Sequence, residues 1–154
     1  MPTFSFNKTS RTPFGKNQYL RSVRDIKTES YTMSAAAMIT NYTVDGTPMK
    51  ILQPGTVIAK ITSTAEAGKV GIFQAGATDG RQTAANIVGV VDTFLPWELN
   101  ERDAEIAVVY EATVVQAWCI EHTATSGGIA PPVALTNTTR DAILALTQVQ
   151  LIFK

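Results

Sequence analysis

Side chains able to do chemistry are few and scattered. Carboxylates gather once, at Glu98, Glu101, Asp103 and Glu105, directly after Pro96-Trp97. Two carboxylates close together could share a proton or hold a cation. Here Leu99, Asn100 and Arg102 intervene, and the D-x-[DN]-x-[DN]-G spacing of a calcium loop is missing, so the cluster reads as a solvated acidic loop. His122, between Glu121 and Thr-Ala-Thr-Ser-Gly-Gly, reads as a surface histidine and not as a general base. It is the chain's one histidine, which excludes an H-E-x-x-H zinc site and any histidine-pair clamp. Cys119, the one cysteine, excludes an intrachain disulfide; inside an apolar run it reads as an inert core thiol. Gly46-Thr47-Pro48-Met49-Lys50 superficially resembles a phosphate loop. It lacks the G-x-x-x-x-G-K-[ST] spacing and puts Pro where an amide donor is needed. Neither G-x-G-x-x-G nor G-x-S-x-G occurs. The expectation is a non-enzyme, with no catalytic residues, cofactor or metal.

A chain of 154 residues can bury a core without staples. Charged residues make up only 17%, against 45% hydrophobic, below the roughly 25% charged of an average domain. This points to surface covered by partners. Zero net charge provides no global field toward nucleic acid or anionic membrane. No apolar run reaches signal-peptide or membrane-spanning length, so the expectation is synthesis in a reducing cytoplasm without membrane insertion. The sequons at Asn7, Asn41 and Asn137 are read as chance.

The neutral total conceals a split. Residues 1–30 carry six basic and two acidic side chains, and the remainder seven basic and eleven acidic. A basic start on an acidic body reads as an interaction arm. Phe4, Phe6, Phe14, Tyr19 and Leu20 recur in it without a sustained period, among Pro2, Pro13 and Gly15. They could strap onto their own domain, become ordered on another protein, or stay disordered; the second is the expectation, with Arg11, Arg21 and Arg24 adding charge. The basic residues are too dilute for a phosphate track, so nucleic acid is not the expected partner.

The elements after the arm read as a mainly β domain, 31–154. Ser30 to Ile39 is apolar, and its Ala-rich centre fits helix or strand equally. Asp45-Gly46 and Asp79-Gly80 are turn dipeptides and Gln53-Pro54-Gly55 a type II turn. Val57, Ala59 and Ile61 alternate with Thr56, Lys60 and Thr62, the period of a half-buried strand. Asn86 to Val91 is a second strand, with Gly89 at a bulge or close approach. Ile106–Tyr110 and Thr113–Ile120 are two more, separated by Glu111-Ala112, the latter with Val114, Trp118 and Ile120 on one face. Thr138-Thr139-Arg140-Asp141 fits a helix start with Asp141 bonding back to the cap. That short helix presents Ala142, Ile143, Leu146 and Leu144, before Val149 to Phe153 returns to strand chemistry. Trp97 either plugs the end of its own domain or projects as an interface anchor; burial is the expectation.

Three strings in order, I-L-Q-P-G-T-V-I-A-K-I-T, G-K-V-G-I-F-Q-A-G-A-T-D-G-R-Q-T-A-A-N-I-V-G-V-V and E-I-A-V-V-Y-E-A-T-V-V, give the middle of the chain a likeness. It resembles the lambda-like head decoration proteins of tailed phages. The matching residues are Pro54 to Thr62, Gly68 to Val70, then Asp79, Gly80, Gln82, Ala84, Ile87, Gly89 and Val90, then Glu105 to Val115. The helix-then-strand ending is also similar, so the likeness covers about residues 50–154. Residues 94–103 do not align with it, and the arm is unmatched. The resemblance implies a small β-barrel-like "tulip" domain with one short C-terminal helix and an extended N-terminal arm. It further implies a homotrimer at threefold positions on the outer surface of the capsid, bound to the major capsid protein and reinforcing the head against packaged DNA. The arm residues then become the expected capsid grip. The rivals are a tail or head–tail connector component and, in another class, a small trimeric enzyme such as a dUTPase, whose G-x-x-D-x-x-Y motif and Gly-rich tail are absent here.

Overall fold

The computed structural model describes residues 18–22, 25–122 and 131–154. Among these residues ten strands and one α-helix follow in the order β1 (Lys27–Met33), β2 (Tyr42–Val44), β3 (Thr47–Met49), β4 (Val57–Lys60), β5 (Val70–Ile72), β6 (Ile87–Val91), β7 (Ala104–Val114), β8 (Ile120–His122), β9 (Pro132–Ala134), α1 (Asn137–Leu144) and β10 (Gln150–Phe153). The domain is mainly β with one short C-terminal helix, as the composition and turns imply. Six strands form one sheet in the order β1-β5-β4-β6-β7-β10, and β1 also pairs with β7, so five strands close into a ring with β10 attached outside.

Two apolar cores result. Every ring strand sends residues inward: Met33, Ile58, Val70, Ile72, Val88, Val91, Ile106 and Val108, capped by Met38, Leu52, Leu95 and Leu99. The outer faces of β4, β6 and β7 hold Val57, Ala59, Ile87, Val90, Val109, Ala112 and Val114. These are covered by Tyr19, Leu135, Ile143 of α1 and Leu151 of β10. The strand expected to be half-buried is therefore buried on both faces: Ile58 looks into the ring, Val57 and Ala59 into the outer core, and only Lys60 emerges.

Bulges set which face each residue takes. In β6 the register against β4 shifts at Gly89, so Ile87 and Val90 face outward while Val88 and Val91 face inward. Gly89 has φ +142° and lies so close to the Val109 carbonyl that a Cβ would collide with it. Both halves of the expectation for this glycine hold. In β7 the register against β1 skips Tyr110, passing even-numbered residues from the inner core (Ile106, Val108) to the outer one (Ala112, Val114). The chain thus has one eleven-residue strand where the sequence reads two, because the apolar period changes face at the bulge. The second expected strand ends at Val114, and Gln116–Trp118 is a turn of 3-10 helix before β8.

The Asp45-Gly46 hairpin joins β2 to β3 with positive φ at both residues, as a two-residue hairpin turn requires. At Gln53-Pro54-Gly55, Thr56 N donates to the Gln53 carbonyl at 3.3 Å and Gly55 has φ +89°. Tyr31 to Met33 is strand, and residues 35–37 turn. The helix begins earlier than its signature: Thr136, not Thr138, is the cap, accepting from Thr139 N at 3.3 Å, while Asp141 pairs with Arg140 at 2.7 Å. Ile143 is buried as expected, and Leu144 is exposed.

Candidate functional site

The residues expected to grip a partner separate sharply. Phe4, Phe6, Arg11, Phe14 and Arg24 lie outside the described residues. Tyr19 belongs to the body: it is 2% exposed, packs on Gly55, and its hydroxyl donates to Asp92 Oδ1 at 2.8 Å. Burial and the Asp92 carboxylate together push its phenol pKa well above the ordinary value. Leu20, half-buried, bridges Val114, and Val115 N donates to the Tyr19 carbonyl at 2.8 Å. Arg21 is exposed, with its backbone N–H bonded to the Thr113 carbonyl at 3.0 Å. Residues 19–21 therefore extend the line that β1 makes along β7, and the boundary drawn at residue 30 falls inside β1. A grip by Tyr19 is corrected on this ground, since its ring fills the outer core.

Trp97 also departs from expectation. It is 46% exposed at the start of a 3-10 turn, Glu98–Asn100, whose one buried side chain is Leu99. Leu99 takes the core position, which leaves the Trp97 ring outside. Trp118, expected inside a strand, is 51% exposed. With Leu144 and Ile152 these are the large exposed apolar side chains among the described residues.

The acidic cluster does not converge. Asp103 pairs with Lys69 at 2.6 Å and accepts from Ala35 N at 2.8 Å, and both contacts lower its pKa. Glu66 also pairs with Lys69, at 2.8 Å, and accepts from buried Ser34 Oγ at 2.6 Å. Lys69, whose pKa Asp103 and then Glu66 raise, thus ties the turn after β1 to the start of β7. Glu105 accepts from Thr32, Glu98 from its neighbour's backbone, and Glu101 is exposed. No three metal-binding side chains group among the described residues.

His122 overturns its surface reading. It is 4% exposed, and burial lowers its pKa to about 4. β8 is pinned between β9 and a parallel bridge to Gln74, which carries the ring inside. Asn41 is buried beside it, so that sequon lies in the interior. Cys119 is buried as expected, its thiol pushed up to about 12 by burial.

The Asp79-Gly80 turn is held by a network of polar bonds. Arg81 Nε reaches both Asp79 carboxylate oxygens at 3.0 Å, with both side chains nearly buried and the guanidinium laid across Gly71. Asp79's carbonyl accepts from Thr62 N at 2.8 Å, Gly80 N donates to Gln82 Oε1 at 2.9 Å, and Asn86 Nδ2 donates to the Gly80 carbonyl at 2.8 Å. Gly80, at φ +106°, abuts Thr62 with no space for a Cβ. A cleft of about 360 Å³ opens beside this turn, lined by Gln74, Asp79, Arg81, Thr64 and Glu66. The Asp79–Arg81 pair in its wall is satisfied internally. A second cleft, about 290 Å³, lies between Tyr42 and Trp118. No helix among the described residues is long and apolar enough to cross a membrane. The chain matches no protein-family model, no curated protein and no solved structure.

Proposed function

We propose that this protein is a structural decoration protein of a tailed-phage head, binding the capsid exterior as a trimer at threefold positions. One observation carries the reading: the residues that bear the sequence likeness are those that shape the β4–β6 part of the ring. Pro54-Gly55 makes the turn into β4, Thr62 receives the Asp79-Gly80 turn, Gln82 ties it, and Gly89 sets the bulge on Val109. A likeness carried by positions with a steric or hydrogen-bonding task is a likeness of architecture, whereas scattered apolar matches would not be. The exposed Trp97, Trp118, Leu144 and Ile152 support a contact role, since tryptophan is enriched where interfaces concentrate binding energy. A cement protein needs contact area and symmetric closure, with no reactive group.

The capsid grip in this reading is the segment before Tyr19, with Phe4, Phe6, Arg11 and Phe14, together with Arg24 and the exposed Arg21. Trp97 is a second contact. Imaging of virions that carry the protein tests it: trimeric knobs at threefold positions of the head are expected. A ring at one vertex or along the tail, or dimers and monomers on the head, overturns it. A large saturable thermal shift with a nucleotide or metal would instead favour a small trimeric enzyme.

A further inference from the structure

The backbone of Ile51 fixes the protonation state of His122. Ile51 N–H donates to Asn41 Oδ1 at 2.9 Å, and Asn41 Nδ2 donates to the Ile51 carbonyl at 2.7 Å. A main-chain donor and acceptor cannot exchange roles, so the Asn41 amide has one orientation, and its nitrogen lies 3.1 Å from His122 Nε2. Nε2 must therefore accept, and the ring proton sits on Nδ1. That Nδ1 is buried without a hydrogen-bond partner among the described residues.

Among the described residues no charge compensates the ring. Pro132 stands opposite it on β9, and Gln74 on its other side is neutral. Asn41 and Ile51 are neutral, and Glu121, its neighbour on β8, faces the Thr136 amide and hydroxyl. Residues 123–130 contain no ionisable side chain. Burial alone lowers the imidazole's pKa.

We propose that the His122–Asn41–Ile51 chain is an acid-operated latch, closed while the imidazole is neutral and opened by its protonation, which releases the β2–β3 hairpin from the body. A proton on Nε2 would face the Asn41 amide donor to donor. Rotating the amide to offer Oδ1 would set donor against donor and acceptor against acceptor at Ile51. In the first case Asn41 loses its bond to His122, and in the second its pair with Ile51; Asn41 stands at the open end of the hairpin, where its own N–H bonds to the Met49 carbonyl at 3.0 Å. The inference stands apart from the capsid reading.

The sign follows from linkage. The open form protonates at the ordinary histidine value near 6.5, the closed form only near pH 4. The latch is fully closed above about 6.5 and weakens by about tenfold per pH unit down to about 4, with no further change below.

An NMR titration of the full chain from pH 8 to 3.5, following the His122 ring and the backbone amides of Tyr42–Met49, tests it. The expected result is a His122 midpoint below 6, shared by the hairpin amides. A ring midpoint near 6.5, or a ring that titrates while the hairpin amides stay fixed, overturns the latch. In His122→Gln the side-chain oxygen can accept from Asn41 with no proton to gain, and the shared hairpin transition should vanish. Its persistence also overturns the proposal, and should that variant fail to fold, the wild-type midpoints decide alone.

Discussion

The ring strands β4, β5 and β6 bury every side chain but Lys60, whereas β2–β3 and β8–β9 are pairs of three-residue strands outside the six-stranded sheet. At that end side-chain amides replace strand partners: Asn41 bonds both main-chain groups of Ile51, and Asn100 both those of Lys50. Apolar burial is insensitive to protons and spread over many contacts. Hydrogen bonds to one imidazole or one amide depend on a single group and on its ionisation. The ring should therefore report steric and packing changes, and the hairpin end changes in pH.

The largest effect separates body from arm. Deleting residues 1–30 removes Tyr19 from the outer core and four residues of β1 from the ring, and should abolish cooperative melting by circular dichroism. Deleting only residues 1–17 should leave the melting temperature within a few degrees while weakening head binding. A folded product from the longer deletion would show that β1 is dispensable to the ring. Next comes Gly89→Ala, which combines a left-handed φ with a collision against the Val109 carbonyl. Chemical denaturation should show a loss of about 3 kcal/mol or more. Gly46→Ala, at a positive φ with open space around it, should lose only about 1 kcal/mol. If the two glycines cost the same, the close approach at β6 does not constrain the ring.

Smaller again is Tyr19→Phe, which keeps the packed ring and removes the bond to Asp92; about 1.5 kcal/mol is expected by denaturation. The smallest is Trp97→Ala. With its ring outside the core, the substitution should change stability by under about 0.5 kcal/mol, while head binding in a sedimentation assay falls. A clear drop in melting temperature would return Trp97 to a core role.

Local chemistry was legible wherever one residue type has one geometric use. Pro54-Gly55 and Asp45-Gly46 announced their turns, Gly89 its bulge, and Val149 to Phe153 its strand. Burial was harder to read. Val57 and Ala59 alternate with Ile58 and Lys60, a period that describes one face of a strand and is silent on whether a second core covers the other. The break assumed at Glu111-Ala112 was a change of face inside β7, since the bulge at Tyr110 interrupts periodicity without interrupting pairing. His122 carried no local signal of burial, because polar neighbours in sequence are not its neighbours in space.

By itself the sequence determined the mainly β class, the turns, the short C-terminal helix and the charge contrast between its start and its body. These depend on backbone preferences and on composition, which act over a few residues. Only the tertiary structure decided that Tyr19 is core while Trp97 is surface, that five strands close on themselves, and that a histidine beside a glycine-rich segment is buried against Asn41. Each of those outcomes is fixed by strands far apart in the chain, whose pairing leaves one aromatic ring a filled site and another none.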